Sequence, residues 1–201
     1  MALDPIRRTA NIRLSFERAI APAGTLSVDS VAGNPPAAIN LSVPVYSNYN
    51  WGDPNDDGNP SDPPDPAFVV ITWLQDGAGR NSMSMVQVDC FRRTGLPGDT
   101  APDPFGVTAS DIADAVEEAF LGMTPTGVFR WAPRIFDFLA DPANPIETDE
   151  CLWVQDAGRP NAWGTATDRR IINDDPRLQR VALTFTVRLR VDGVQMPILS
   201  A

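Results

Sequence analysis

At 201 residues the chain is long enough to bury one good core, and with 43% apolar residues it cannot be disordered throughout. Its net charge of -10 and sequence pI of about 4.3 argue against a protein that grips nucleic acid by its phosphates, although they suit a surface past which DNA slides without sticking. All sixteen basic residues are Arg and no His occurs, which excludes His triads, His metal sites, Schiff-base lysines and Lys phosphate binders. A GC-rich genome, which favours Arg codons, is the simplest cause, but the chemical consequence is the same. No apolar run approaches the roughly 18 to 20 residues of a membrane span, and the N-terminal stretch lacks the apolar region and cleavage site of a secretory signal, so a soluble chain without membrane attachment is expected.

In chain order, Asp4 followed by Pro5 opens a helix expected over residues 5–20, with Thr9, Ile12, Phe16 and Ile20 on one face and Pro22 and Gly24 ending it. A strand through Ile12, Leu14 and Phe16 is the competing reading. Residues 25–46 hold two short apolar groups, LSVDSV and INLSVPVY, separated by Gly33-Asn34-Pro35-Pro36, and read as two strands and a loop. The segment 47–66 contains five Asp and five Pro and no aliphatic residue, so it is expected as an exposed acidic loop.

Ala67 to Gln75 is almost continuously apolar, as expected of a central strand buried on both faces. Asp76-Gly77 supplies turn chemistry. Ser82 to Arg92 then returns as a strand, with Val86, Val88 and Cys90 on one side and Gln87 and Asp89 on the other. Thr108 and Asp111 fit a capping box, after which Ile112, Val116, Ala119 and Phe120 line one helical face and Gly122 closes the helix. GVFRW (127–131) and ECLWVQD (150–156) read as shorter strands joined by a Pro-broken stretch that includes IFDFL, and 156–177 reads as a polar, turn-rich insertion. The clearest strand is the last. Val181, Leu183, Phe185, Val187, Leu189 and Val191 alternate with a second face of Arg180, Thr184, Thr186, Arg188 and Arg190, which is expected to meet water or a partner subunit. The sum is an α+β fold: one domain over 1–201, a mostly antiparallel sheet of about five or six strands, two helices on one face, and long loop insertions.

Several groups invite a chemical reading. Asp53, Asn55 and Asp57, followed by Gly58, match the start of a calcium loop, yet position 12 is Pro64 rather than Glu and the flanks are Pro-rich, so a solvated acidic loop is the plainer reading. The acid pairs Asp149/Glu150 and Asp174/Asp175 sit in turn-like surroundings and read as surface. Cys90 and Cys151 lie in apolar runs and read as buried reduced thiols, ahead of one disulfide and well ahead of a nucleophile, for which no His base exists. Trp73, Trp131 and Trp153 lie in apolar runs and read as core or interface, whereas Trp51 and Trp163 in polar loops are better placed to touch a partner. The C-terminal Arg row is expected to pair with carboxylates of the same chain or a neighbour. No Walker loop, GxGxxG, GxSxG or HExxH is present, so no catalytic residues and no cofactor are assigned.

The N-terminal helix, the strand V-Q-V-D-C-F (86–91), the helix beginning D-I-A-D-A-V (111–122) and the long strand R-V-A-L-T-F-T-V-R-L (180–189), in this order, resemble the tail terminator (tail completion) proteins of long-tailed bacteriophages and gene transfer agents. The resemblance implies a virion structural protein of the tail or neck, assembled in the bacterial host cytoplasm. It implies a homo-oligomeric ring, a hexamer, that caps the tail tube protein and meets the head-tail connector, with DNA passing through the lumen unbound. Gln87 and Asp89 are then expected as exposed or intersubunit contacts. The acidic segment 47–66 and the polar segment 156–177 depart from the pattern. Another head-tail joining or minor tail protein stays open as an alternative, as do a calcium-dependent extracellular binding module and, last, an acid-pair glycosidase. Calorimetric titration with Ca²⁺ tests the binding module: a solvated loop gives no heat.

Overall fold

The computed structural model describes residues 5–32, 35–47, 67–75, 83–93, 107–120, 123–124, 127–128, 134–155, 168–175 and 178–190. Helix α1 (Pro5–Ile20) leads into a hairpin, β1 (Thr25–Ala32) and β2 (Ala37–Ser47). Strands β3 (Ala67–Gln75) and β4 (Met83–Arg93) precede helix α2 (Ala109–Phe120) and two short strands, β5 (Met123–Thr124) and β6 (Gly127–Val128). Strands β7 (Arg134–Asp137), β8 (Ile146–Gln155), β9 (Asp168–Asp175) and β10 (Leu178–Arg190) complete the chain. The expected α1, β1 to β4, α2 and β10 are all present. Three strands were not expected: β5 follows directly on the end of α2, β7 falls in the Pro-broken stretch around IFDFL, and β9 occupies the later part of the segment read as turn-rich. The acidic segment from 48 to 66, Gly122, and residues 129–131 of GVFRW lie outside the described residues.

One eight-stranded sheet runs β1-β2-β3-β4-β10-β8-β7, with β9 also paired to β10. Every pairing is antiparallel except β2 with β3, which are parallel through Val45 to Ser47 opposite Val69 to Ile71. Alternation sorts the side chains onto two faces. Val69 and Ile71, Val86, Val88 and Cys90, and Val181, Leu183, Phe185 and Val187 join the core that also holds Ile12, Phe16 and Ile20 of α1 and Ile112, Val116 and Phe120 of α2. Both helices therefore pack on one face. Phe68, Val70 and Phe91, with Tyr46 against them, form a smaller cluster on the other, so β3 is buried on both sides as its unbroken apolar sequence requires.

Four rings from four elements meet in the main core. Phe16, fully buried, lies 5.0 Å from Phe120, 5.6 Å from Trp73 and 6.0 Å from Phe185, and Phe120 lies 5.4 Å from Phe185. Helix α2 begins where expected: the Thr108 hydroxyl accepts from the Asp111 amide at 3.2 Å, and the Thr108 amide donates to the Asp111 carboxylate at 2.6 Å. Helix α1 ends at Ala21, whose amide donates to Glu17 at 2.8 Å. Gly24, at φ 81°, then makes the left-handed turn into β1 that a side chain would resist.

Helix α1 also closes an edge of the sheet. The amide of Phe136 donates to the Ser15 hydroxyl at 2.9 Å, and the amide of Phe138 to the Asn11 side-chain oxygen at 3.1 Å. The Asn11 amide group in turn donates to the Asp137 carboxylate at 3.2 Å. Asn11 and Ser15 are 0% and 1% exposed, so a helix face that sequence alone assigns to apolar packing carries two polar groups matched to a strand.

Phe16→Ala is expected to cost about 3–5 kcal/mol in urea unfolding, because three ring contacts are lost at once. Asn11→Ala leaves the Phe138 amide unpaired and is expected to cost about 1–3 kcal/mol. A third expectation concerns pH. Burial raises the Glu17 carboxyl above its ordinary range, offset in part by the Ser47 hydroxyl and Arg13. The folded chain therefore keeps this proton where the unfolded chain has released it, so stability falls as pH rises through the raised value. Glu17→Gln is expected to be more stable than wild type at neutral pH, with the difference shrinking toward acid in chemical unfolding at both pH values.

Candidate functional site

The face of the sheet turned away from the helices holds the residues that the sequence offered as contacts. Register places them in rows: Phe68, Phe91 and Arg180, then Val70, Asp89 and Ala182, then Thr72, Gln87 and Thr184. Asp89 sits at the centre. Its Oδ1 accepts from Arg180 Nε at 3.1 Å and Nη2 at 3.1 Å, and its Oδ2 accepts from Gln87 Nε2 at 2.8 Å. The Arg180 guanidinium also lies 5.5 Å from the Phe91 ring, which stacks on Phe68 at 4.8 Å.

This geometry corrects two expectations. Gln87 and Asp89 were read as exposed or intersubunit contacts; Gln87 is half-buried, but Asp89 is only 6% exposed and its cation comes from the same chain. The face of β10 with Arg180, Thr184 and Thr186 was expected to meet water or a partner, yet Thr186 is buried and Arg180 and Thr184 are half-buried. The reason is the surroundings: Val70 and Ala182 flank Asp89 in its own row and Phe91 lies in the next, so the carboxylate is desolvated and the Arg180 cation offsets that cost. Of the two pairings open for the Arg row, Arg180 takes the intrachain one. Arg188 and Arg190 belong to β10, but their side chains lie outside the described residues.

Chemically, the cluster is an occupied ion pair. Both Asp89 oxygens accept hydrogen bonds within the chain, which suits holding strands in register better than proton transfer. Cys90 is in no disulfide and fully buried, aligned with Val69 on one side and Val181 on the other. The reduced, buried reading holds for it, and a thiol without solvent access is no nucleophile. Cys151 lies in β8 with its side chain outside the described residues. Among the described residues no three His, Cys, Asp or Glu side chains are grouped to hold a metal ion. Asp53, Asn55 and Asp57 lie outside the described residues, as do Trp51, Trp131 and Trp163.

The acid pairs are placed differently from expectation. Asp149 and Glu150 fall within β8, and Asp174 and Asp175 end β9, so neither pair is in a turn. Trp73 is core, half-buried edge-on against Phe16 with the Arg13 guanidinium 5.8 Å from its ring. Sequence reasoning missed the Asn11, Ser15 and Asp137 set. Its one signal was the spacing of Asn11 and Ser15, four apart and flanking the apolar stripe of Ile12 and Phe16. Among the described residues no helix is long and apolar enough to cross a membrane. No protein-family model matches this chain, and no curated protein matches it.

Arg180→Met is expected to cost about 3 kcal/mol or more in urea unfolding, because it strands the Asp89 carboxylate. The double variant Asp89→Leu with Arg180→Met is expected to be more stable than Arg180→Met alone. A strictly additive pair of losses would show that the two groups do not depend on each other.

Proposed function

We propose that this chain is a virion structural subunit of the tail-terminator type, from a long-tailed phage or gene transfer agent. Copies form a ring, most simply a hexamer, that caps the tail tube and presents a surface to the head-tail connector. The observation that carries this reading is the way the resembling segments fold together. V-Q-V-D-C-F is β4 and R-V-A-L-T-F-T-V-R-L is β10; they pair along their length, from Leu178 opposite Arg93 to Arg188 opposite Met83. The helix that begins D-I-A-D-A-V is α2, and its Ile112, Val116 and Phe120 join the same core as Val86, Val88, Leu183 and Phe185. Segments separated by about half the chain thus make one unit, as the subunit scaffold requires.

The internal satisfaction of Asp89 fits this role, since a scaffold held by its own ion pair keeps its shape before any partner arrives. The acidic balance also fits, because a lumen of negative charge lets DNA pass without retention. The work is binding, with no catalytic group assigned. Partners on this reading are further copies of the chain, the tube protein below and the connector above.

Mixed with purified tail tubes, the protein is expected to bind tube ends and stop further polymerisation, with six-fold end views in negative stain. Deleting its gene from its phage separates the terminator from a neighbouring joining protein. Loss of a terminator gives tubes that run past their normal length, whereas normal-length tubes detached from heads would assign the chain to joining instead.

A further inference from the structure

The main sheet ends in three strand edges, and they are treated differently. The β7 edge is taken by α1, whose Ser15 and Asn11 accept from the amides of Phe136 and Phe138. Neither β1 nor β9 has a strand on its outer side among the described residues. These two edges lie at opposite ends of one path, β1-β2-β3-β4-β10-β9. Each also carries an apolar residue in water: Val31 on β1 is 63% exposed and Ile171 on β9 is 67% exposed, the two most exposed large apolar side chains among the described residues. Soluble proteins blunt open edges with charge, Pro or a covering element, and the amides of β7 show that covering here. Apolar residues left out on the other two edges are what a strand-pairing contact needs.

We infer that β1 of one copy pairs with β9 of the next, joining copies head to tail into a continuous sheet. The inference rests on the reading of the chain as an assembly subunit, and it names the contact. Three observations favour a second copy as the occupant. The first is direction. Following the pairings from β1 through β2, β3, β4 and β10 to β9, with one parallel step and four antiparallel ones, β1 and β9 run in the same sense. Copies related by rotation around a ring keep that sense, so β1 meets β9 as a parallel pair.

The second observation is charge. Asp29 is the one charged residue of β1, and among the charged residues of β9, which are Asp168, Arg169, Arg170, Asp174 and Asp175, Arg170 is exposed. Asp29 is aligned with Asn40, and the alternation continues through Tyr46, Val70, Asp89 and Ala182 to Arg170. Asp29 and Arg170 therefore share the face away from the helices. The third is register: aligning these two in a parallel pair sets Val31 beside Ile172 and Ser30 beside Ile171. A like-with-like contact of two β1 strands offers no cation to Asp29. Continuation onto β7 is blocked by α1.

The test compares self-association of the full-length protein with that of Asp29→Arg, Arg170→Asp and their equimolar mixture, by analytical ultracentrifugation across a concentration series. Each single variant is expected to raise the concentration at half-assembly at least tenfold, and the mixture to recover assembly, because alternating copies restore opposite charges at every contact. Val31→Lys, which leaves both charges in place, is expected to weaken assembly alike, and circular dichroism of each variant reports whether the subunit still folds. Wild-type assembly that survives all three substitutions overturns the β1–β9 contact while leaving a ring possible through another surface. A dimer disrupted by Asp29→Arg but not by Arg170→Asp overturns it in favour of two β1 edges, and a wild-type monomer at every concentration overturns it outright. Assembly that depends on both edges but forms open filaments upholds the contact and counts against the closed ring of the terminator reading.

Discussion

The fold depends on the aromatic junction around Phe16. This residue reaches α2, β3 and β10 through ring contacts at once, by Phe120, Trp73 and Phe185. Each such contact contributes about 0.5–1.5 kcal/mol beyond the area it buries, and its preference for edge-on or tilted geometry fixes angles as well as distances. Two helices far apart in sequence are therefore held against the same sheet face in one orientation. The small cluster of Phe68, Val70 and Phe91 supports the sheet from the opposite side.

Around this junction the buried polar groups specify alignment. Asn11 and Ser15 give α1 a position along β7 that apolar packing alone would leave free to slide, because the Phe136 and Phe138 amides have fixed spacing. The Asp89–Arg180 pair does the same for β4 and β10. A slip of one residue would move Arg180 to the core face and leave the carboxylate unpaired in an apolar setting. In both places the energetic weight lies in the cost of the wrong arrangement.

What the sequence revealed follows from where periodicity is complete. Helix α1, helix α2 with its Thr108–Asp111 box, and strands β4 and β10 have long stretches of consistent 3.6- or 2-residue spacing, β3 is one nearly unbroken apolar run, and each formed where it was read. Strand β7 has four residues between prolines, and its edge is satisfied by a helix from the other end of the chain, so no local signal marks it. Strand β9, with adjacent Ile171 and Ile172 between charged ends, does not alternate; β10 gives it an edge to follow, and that context outweighs its own propensity. Asp89 looked solvent-facing because alternation reports the face of a strand and not what lies 91 residues away on the next one. The proposed assembly role rests on the order of elements, since a binding role is a matter of surfaces and leaves no catalytic spacing to read.

The hydrogen bonds from α1 to β7 also impose an order in time. Their partners are 121, 126 and 127 residues apart, so α1 has no strand to meet until β7 has been made. Until then Asn11 and Ser15 sit beside Ile12 and Phe16 with no strand to receive them, and a partly built sheet exposes its apolar strands. Closure of the N-terminal helix onto β7 is thus a contact of high sequence separation, the kind whose loop-closure cost slows folding. Until it occurs, the β7 edge is as open to another strand as those of β1 and β9, and copies that meet too early have a wrong edge available to them.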